Sequence, residues 1–193
     1  MSARPKVSGM KMYRQMADTF LFPCPKVGSR RMTLYHGSNV EVKNPKILQP
    51  SRGLDFGAGF YTTTNRDQAI AFALRVTRNR GTGIATVSEY EVDVEIAFGV
   101  CNVVRFDGVC DAWLDFVCDN RDGAYAGPRY DFAFGPVAND DVYRTLYLYR
   151  AGEIDREETF KRLKVKTLYN QLVFASPLAL SFLRYRKSEV FHE

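Results

Sequence analysis

Polar and apolar positions along this chain alternate in several short segments and follow a helical period in others. Strand patterns, which alternate or concentrate aromatic and β-branched residues, occupy residues 33–36, 60–63, 84–94, 130–137 and 168–174. Helical patterns occupy residues 10–17, 67–78, 112–117, 155–164 and 177–186, and a further helix runs to Arg150 from an N-cap at Asp140 or Asp141. The two kinds of segment are mixed without a regular strand–helix–strand repeat, which predicts an α+β fold.

The helix at 67–78 carries the clearest boundary signals. Thr64, followed three residues later by Asp67, resembles a capping box, and Gly81 is expected to end the helix. The run from Ala69 to Leu74 is apolar on nearly every side, which predicts that this helix packs beneath another part of the molecule. Residues 39–57, which precede it, are rich in turn formers and are expected to cross the surface as a loop.

Composition indicates one soluble domain with a basic extension. The chain has 193 residues, of which 46% are hydrophobic and 25% charged, and this balance is typical of a globular protein with a sizeable core. Seven of the first 31 residues are Lys or Arg, whereas only Asp18 among them is acidic. We therefore divide the chain into a basic arm, residues 1–31, and a domain, residues 32–193. The charged residues of segment 89–122 are mostly acidic and those of segment 144–187 mostly basic, which predicts an acidic side and a basic side.

Several functional classes are disfavoured by the motifs that the sequence lacks. The four cysteines form no C-x-x-C pair and only two histidines are present, so no zinc site is expected and the thiols are expected to be free. No segment has the apolar length of a membrane span or a signal peptide, so we expect a cytoplasmic protein without a membrane partner. Phosphate-binding glycine loops and the common hydrolase motifs are also missing from the sequence.

Three segments carry candidate chemistry: Leu34-Tyr35-His36-Gly37-Ser38, Gly57-Ala58-Gly59-Phe60-Tyr61-Thr62 and Tyr169-Asn170-Gln171-Leu172-Val173-Phe174. Together they resemble the ADP-ribosyltransferase superfamily, and specifically its His-Tyr branch, which includes poly(ADP-ribose) polymerases and diphtheria toxin. That branch has a strand ending in H-G-[ST], a G-x-Y strand followed by a helix, and a late strand of the form Y-N-E-Y-x-V-Y. The resemblance covers residues 33 to about 183, and a looser likeness joins residues 53–73 and 130–143 to uncharacterised bacterial members.

The resemblance implies a fold, a co-substrate and roles for particular residues. The fold would be a split antiparallel β-sheet core with peripheral helices, and the co-substrate would be NAD. In the family the histidine bonds the adenosine ribose, the next glycine pairs through its backbone with the nicotinamide carboxamide, and the following serine also reaches the adenosine ribose. These roles would fall to His36, Gly37 and Ser38.

The nicotinamide ring would lie between two aromatic side chains. The family's tyrosine corresponds to Tyr61, and a second aromatic residue eleven positions later corresponds to Phe72, which we expect on the inner, alanine-rich face of its helix. The polymerases have a serine that bonds the carboxamide where this chain has Ala69. The ring would then be held by backbone alone or by another hydroxyl such as that of Thr63.

The main departure from the family is Gln171, which stands where the catalytic glutamate is expected. An amide can bond the 2′-hydroxyl of the nicotinamide ribose, but it supplies neither charge nor basicity. Asp55, Asp140 and Asp141 are candidates for a substituting carboxylate, although a turn position for Asp55 and a helix cap for the other two are alternative roles.

We expect a mono-ADP-ribosyltransferase that moves ADP-ribose from NAD to a macromolecular acceptor, with His36, Tyr61 and Gln171 as catalytic residues and no metal. Two alternatives stay open: an NAD glycohydrolase, in which water is the acceptor, and a catalytically inactive NAD-like binding domain. The acceptor is a nucleic acid or a protein. The basic arm and the basic stretch at 144–187 favour a polyanion.

Overall fold

Strands and helices are interspersed along the chain in the computed structural model, which describes residues 31–48, 53–137, 140–164 and 169–192. The strands are β1 (Arg31–Ser38), β2 (Phe60–Thr63), β3 (Ala85–Asp93), β4 (Val103–Arg105), β5 (Phe132–Val137), β6 (Tyr169–Phe174) and β7 (Arg184–Phe191). The helices are α1 (Arg66–Arg80), α2 (Val94–Val100), α3 (Asp111–Asp122), α4 (Asp140–Arg150), α5 (Arg156–Lys164) and α6 (Pro177–Ser181). The prediction of an α+β fold is confirmed.

The strands form one open sheet whose two halves meet at a single paired position. The order is β4-β5-β6-β2-β1-β3-β7, and every neighbouring pair is antiparallel except β4 and β5. Strands β1 and β3 pair at eight positions and β2 and β6 at four, whereas β1 and β2 pair only where Tyr35 lies opposite Thr63. The ladder of paired residues that joins the strands is therefore interrupted between β1 and β2.

Apolar clusters cover both faces of the sheet. On one face, helices α3, α4 and α5 pack against β5, β6 and β2 around Trp113, Phe116 and Leu146, while α1 covers β1 and β3 through Ala69 and Ala73. On the other face, residues from both halves of the sheet share one cluster: Leu34, Phe60, Tyr90, Val92, Phe132, Leu172 and Phe174, with Val94 and Ala97 of α2 and Ala179 of α6. The two halves are thus joined mainly by side chains.

Helix α1 has the expected extent but a different N-cap. Its cap is Asn65, whose side-chain oxygen accepts the backbone N–H of Gln68 at 2.9 Å, so Thr64 is not the cap. Gly81 ends the helix in the left-handed conformation at φ 65°, as predicted. Only Ala69 and Ala73 are fully buried, and the partly buried Ile70 and Leu74 pack beside them, so the helix presents a narrow apolar strip to the sheet and is not apolar-packed on nearly every side as the sequence predicts.

Other boundaries differ from the sequence prediction. The helix expected over 177–186 ends at Ser181, and β7 follows from Arg184 because this segment pairs with β3 along the edge of the sheet. Strand β4 and helix α2 were not predicted. The arm and its expected helix at 10–17 lie outside the described residues, apart from Arg31, which begins β1. Within the part of the chain described here, no helix has the length and apolarity needed to cross a membrane.

Ion pairs join the acidic segment 89–122 to the basic segment 144–187. Arg156 bonds Asp111 at 2.7 Å and also bonds Asp115, and Arg186 pairs with Glu91 at 2.6 Å. Further pairs of the same kind are Arg150 with Asp122 and Lys187 with Glu89. The expectation of one acidic side and one basic side is therefore wrong, because the fold brings many of these opposite charges together.

Candidate functional site

The three segments singled out in the sequence meet at one cavity. Strands β1, β2 and β6 are neighbours in the sheet, and a cavity of about 1220 Å³ opens where they adjoin α1, the loop at 53–55 and α4. Ligand pockets commonly measure roughly 300–1,000 Å³, so this one has room for a dinucleotide. All six site residues predicted from the sequence line it: His36, Gly37, Ser38, Tyr61, Phe72 and Gln171.

A row of side chains crosses three strands on the face of the sheet that α1, α3, α4 and α5 cover. Thr63 of β2 lies opposite both Tyr35 of β1 and Gln171 of β6, so the three residues share one face. Tyr61, two positions before Thr63, lies on the same face. His36 alternates with Tyr35 and therefore begins on the opposite face, where its ring contacts that of Phe60 at 4.4 Å between centroids.

His36 lies at the point where β1 and β2 separate. Its Nδ1 is 2.8 Å from the carbonyl oxygen of Tyr61, and because a carbonyl only accepts, Nδ1 carries the proton. Burial lowers the pKa of this imidazole, and the bond to Tyr61 opposes that shift only in part. The ring is consequently neutral at pH 7, and its Nε2 has a lone pair that can accept a hydrogen bond from a ligand hydroxyl.

Gly37 allows α1 to contact β1 directly. A Cβ atom added at this residue would lie 2.1 Å from the carbonyl oxygen of Ala69 and 3.0 Å from the backbone nitrogen of Ala73. Backbone occupies the space that a side chain would need, so only glycine fits here. The same packing buries Ala69 to 2% exposure, leaving its methyl group as part of the contact between helix and strand.

Tyr61 faces the cavity and also forms hydrogen bonds to the loop that precedes β2. Its hydroxyl donates to the carbonyl of Gly57 at 2.7 Å and accepts the backbone N–H of Phe56 at 3.2 Å. Burial raises the pKa of this phenol above its ordinary value, so the hydroxyl stays protonated and cannot act as a base. The ring itself is the part of Tyr61 that remains for a ligand.

Phe72 differs from its predicted placement. Its side chain is 44% exposed and lies on the outer side of α1, whereas the inner face consists of Ala69 and Ala73. The guanidinium carbon of Arg75, one turn later on the helix, is 5.2 Å from the centre of the Phe72 ring. Phe72 therefore borders the cavity as an accessible aromatic ring and takes no part in the core.

Gln171 lies beside a small polar network. The hydroxyl of Thr63, directly across the strand pair from Gln171, donates to Oε1 of Gln68 at 2.6 Å and accepts the backbone N–H of Asn65 at 3.1 Å. The Thr63 hydroxyl is thus already engaged with α1, which makes it a poor substitute for the missing family serine. Gln68 and Gln171 both line the cavity and present side-chain amides there.

The candidate carboxylate Asp55 forms a buried ion pair. Its side chain is 6% exposed, and Arg121 of α3, itself 12% exposed, lies 2.5 Å away. The Arg121 guanidinium also lies 4.8 Å from the centre of the Tyr143 ring on α4. Asp55 therefore links the loop to α3 and is poorly suited to act as a free base. The side chains of the other two candidates, Asp140 and Asp141, lie outside the described part of the structure.

The cavity lining is strongly cationic, which the sequence did not reveal. Asp55 is the single carboxylate among the described lining residues, and it is neutralised by Arg121. The lining cations are Lys46, Arg75, Arg78, Arg80, Arg121 and Arg150, of which Arg150 is paired with Asp122 outside the lining. Three of them lie on α1, where in the sequence they resemble an ordinary basic helix end. Such a wall favours an anionic ligand.

Comparison with known proteins identifies a family but no activity. No curated protein and no solved structure matches the chain. Residues 32–185 match the model of a family described as "protein of unknown function (DUF3990)", and these residues include β1 from its second residue, β2 through β6 and every residue of the cavity discussed above. Because the match covers most of the chain, the protein belongs to the DUF3990 family.

Proposed function

We propose that this chain is an NAD-dependent mono-ADP-ribosyltransferase. The observation that carries the proposal is the meeting of His36, Tyr61 and Gln171, far apart in sequence, at one cationic cavity. The single paired position between β1 and β2 adds support, because a split antiparallel sheet is what the resemblance to ADP-ribosyltransferases implies.

The cavity's side chains suit the chemistry of NAD. The exposed ring of Phe72 and the ring of Tyr61 provide apolar surfaces for the flat nicotinamide. The Nε2 lone pair of His36 suits a ribose hydroxyl, and the arginines of α1 suit the diphosphate. Gln171 can bond a ribose hydroxyl through its amide but cannot remove a proton.

The transfer step requires little acid catalysis. The bond between ribose C1′ and the ring nitrogen breaks with both electrons going to nitrogen, so nicotinamide leaves as a neutral molecule without being protonated. A lone pair of the acceptor forms the new bond to C1′, and any proton that the acceptor atom carried goes to solvent. Because Gln171 is no base, the proposal favours acceptor atoms that are nucleophilic without deprotonation, such as carboxylates or nucleobase nitrogens.

Incubation of the full chain with NAD labelled in its adenylate phosphate tests the proposal. We expect nicotinamide release together with label attached to a macromolecule from a cell lysate. Release with label only in free ADP-ribose would identify a glycohydrolase. Binding of NAD without release would identify an inactive binding domain, and neither binding nor release would refute the proposal.

A further inference from the structure

Two exposed tyrosines form a stripe on α4 beside the cavity. Tyr143 is 47% exposed and Tyr147 is 56% exposed, and their separation of four residues places them on the same side of the helix. The opposite side of α4 packs into the core through Val142 and Leu146. We call Tyr143 and Tyr147 the tyrosine stripe. Its first member lines the cavity, as does Arg150, one turn beyond its second.

The stripe is unusual within the described surface. Ten large hydrophobic side chains are exposed among the described residues, and only three of them are aromatic: Phe72 and the two members of the stripe. All three therefore lie at the cavity or within one helical turn of a residue that lines it. Exposed aromatic rings that gather at one opening indicate a binding surface rather than scattered surface residues.

Charge around the stripe indicates the kind of partner. Of the six cations that line the cavity, Arg121 is paired with Asp55, the single carboxylate of the described lining, and Arg150 is paired with Asp122. The other four are Lys46 and, on α1, Arg75, Arg78 and Arg80. The Arg121 guanidinium, which is part of the ion pair with Asp55, lies 4.8 Å from the centre of the Tyr143 ring, so the tyrosine stripe adjoins the cationic wall of the cavity. Flat rings combined with fixed cations are the features by which proteins bind single-stranded nucleic acid, with bases stacked on the rings and phosphates near the cations.

We propose that the tyrosine stripe and the adjoining cationic wall bind single-stranded nucleic acid. A duplex has its bases stacked on one another and cannot offer their faces to Tyr143 and Tyr147. An acidic peptide would use the cations but has no planar groups for the rings. The inference rests on the proposed function in one respect, because the bound strand would be the acceptor of ADP-ribose. Nucleobase nitrogens suit that role since they are nucleophilic without being deprotonated.

Binding of a fluorescein-labelled single-stranded oligonucleotide of mixed sequence to the full chain, without NAD, tests the inference by fluorescence anisotropy. We expect the double variant Tyr143→Ala/Tyr147→Ala to bind roughly tenfold or more weakly than the unaltered chain, because stacking against aromatic rings is lost. The variant Tyr143→Phe/Tyr147→Phe keeps the rings and should bind as the unaltered chain does. Ile96→Ala/Leu178→Ala, which removes exposed apolar surface away from the cavity, is the matched control and should change nothing.

Three results would overturn the inference: equal affinity in the unaltered chain and the double alanine variant, equal affinity for the duplex, or competition by polyglutamate as effective as that by unlabelled oligonucleotide. The last result would identify an acidic protein as the partner. Nicotinamide release by the unaltered chain is measured separately. Its absence would count against the proposed function, whereas the anisotropy series alone decides the binding surface.

Discussion

The imidazole of His36 bonds the carbonyl of Tyr61 at the position where the ladder between β1 and β2 stops. If the register of Tyr35 opposite Thr63 continued, Gly37 would lie opposite Tyr61, and backbone would bond this carbonyl. A side chain from the neighbouring residue takes the bond instead. His36 therefore both satisfies the backbone of β2 and holds open the gap in which the cavity forms.

The first prediction concerns acid stability. The pKa of His36 is lowered by burial from its ordinary value of 6.5, so below about pH 6.5 the unfolded chain gains a proton that the folded chain resists. Stability should therefore fall as pH decreases through this range, with a slope of up to about 1.4 kcal/mol per pH unit from this group. Urea unfolding at a series of pH values measures the effect.

The variant His36→Asn keeps a donor for Tyr61 but cannot titrate, so this part of the pH dependence should disappear. His192→Gln, at the exposed second histidine, is the control and should behave as the unaltered chain. An unchanged pH profile in the His36 variant would contradict the assignment.

Gly37→Ala should destabilise the protein by roughly 1–3 kcal/mol or more, because the new methyl group would overlap the Ala69 carbonyl and force α1 away from β1. Gly99→Ala is the matched control, since Gly99 lies in α2 with open space where its Cβ would be. That change should be neutral or stabilising by up to about 1 kcal/mol. Chemical denaturation compares the two, and equal stabilities would mean that α1 does not pack as described.

Phe72→Ala should reduce kcat/KM for NAD roughly tenfold while leaving the unfolding midpoint nearly unchanged. An aromatic stacking partner is worth about 0.5–1.5 kcal/mol beyond its buried area, and the side chain contributes no core packing at 44% exposure. Phe72→Tyr retains the ring and should keep most of the turnover. Full activity in the alanine variant would remove Phe72 from the site.

Gln171 should limit the product to a single ADP-ribose unit per acceptor position, because chain extension requires a base that removes a proton from a ribose hydroxyl. Gln171→Glu should increase NAD hydrolysis or chain extension. Asn170→Asp adds the same charge at the neighbouring residue, on the other face of β6, and should have neither effect. Long chains made by the unaltered protein, seen on denaturing gels, would contradict this role.

Asp55→Asn should destabilise the fold by about 3–5 kcal/mol, because it leaves the Arg121 charge buried without compensation. Replacing both residues, as in Asp55→Asn/Arg121→Met, should recover much of that loss. Thermal or urea unfolding of the three proteins measures the coupling. A single variant that loses NAD turnover at full stability would instead make Asp55 the catalytic carboxylate.

Local pattern predicted the central strands and α1 because their residues carry clear periods and boundary residues. The pattern predicts a helix that runs into the start of β7 because Pro177 begins a helical turn and the following edge strand, with a register shift opposite Glu89 and Tyr90, shows little alternation. Strand β4 spans only three residues, too few for a period to be visible. These elements depend on partners distant in sequence.

At the site, motif spacing located the cavity-lining residues but did not predict their surroundings. Asp55 and Arg121 are 66 positions apart, and nothing near either residue signals their ion pair. The exposure of Phe72 depends on how α1 is rotated against β1, which the contact at Gly37 sets. Tertiary packing decides both features.

The single position at which β1 pairs with β2 also has a mechanical consequence. Apart from that position, the two halves of the sheet are joined by the apolar cluster that contains Leu34 and Phe132. Hydrophobic contact is non-directional, whereas a hydrogen-bonded ladder fixes angle and register, so the angle between the two halves is set less tightly at this joint than within either half. Phe60 of the same cluster lines the cavity, so we expect a substitution at Phe132, which is not a lining residue, to change the width of the cavity from behind its wall.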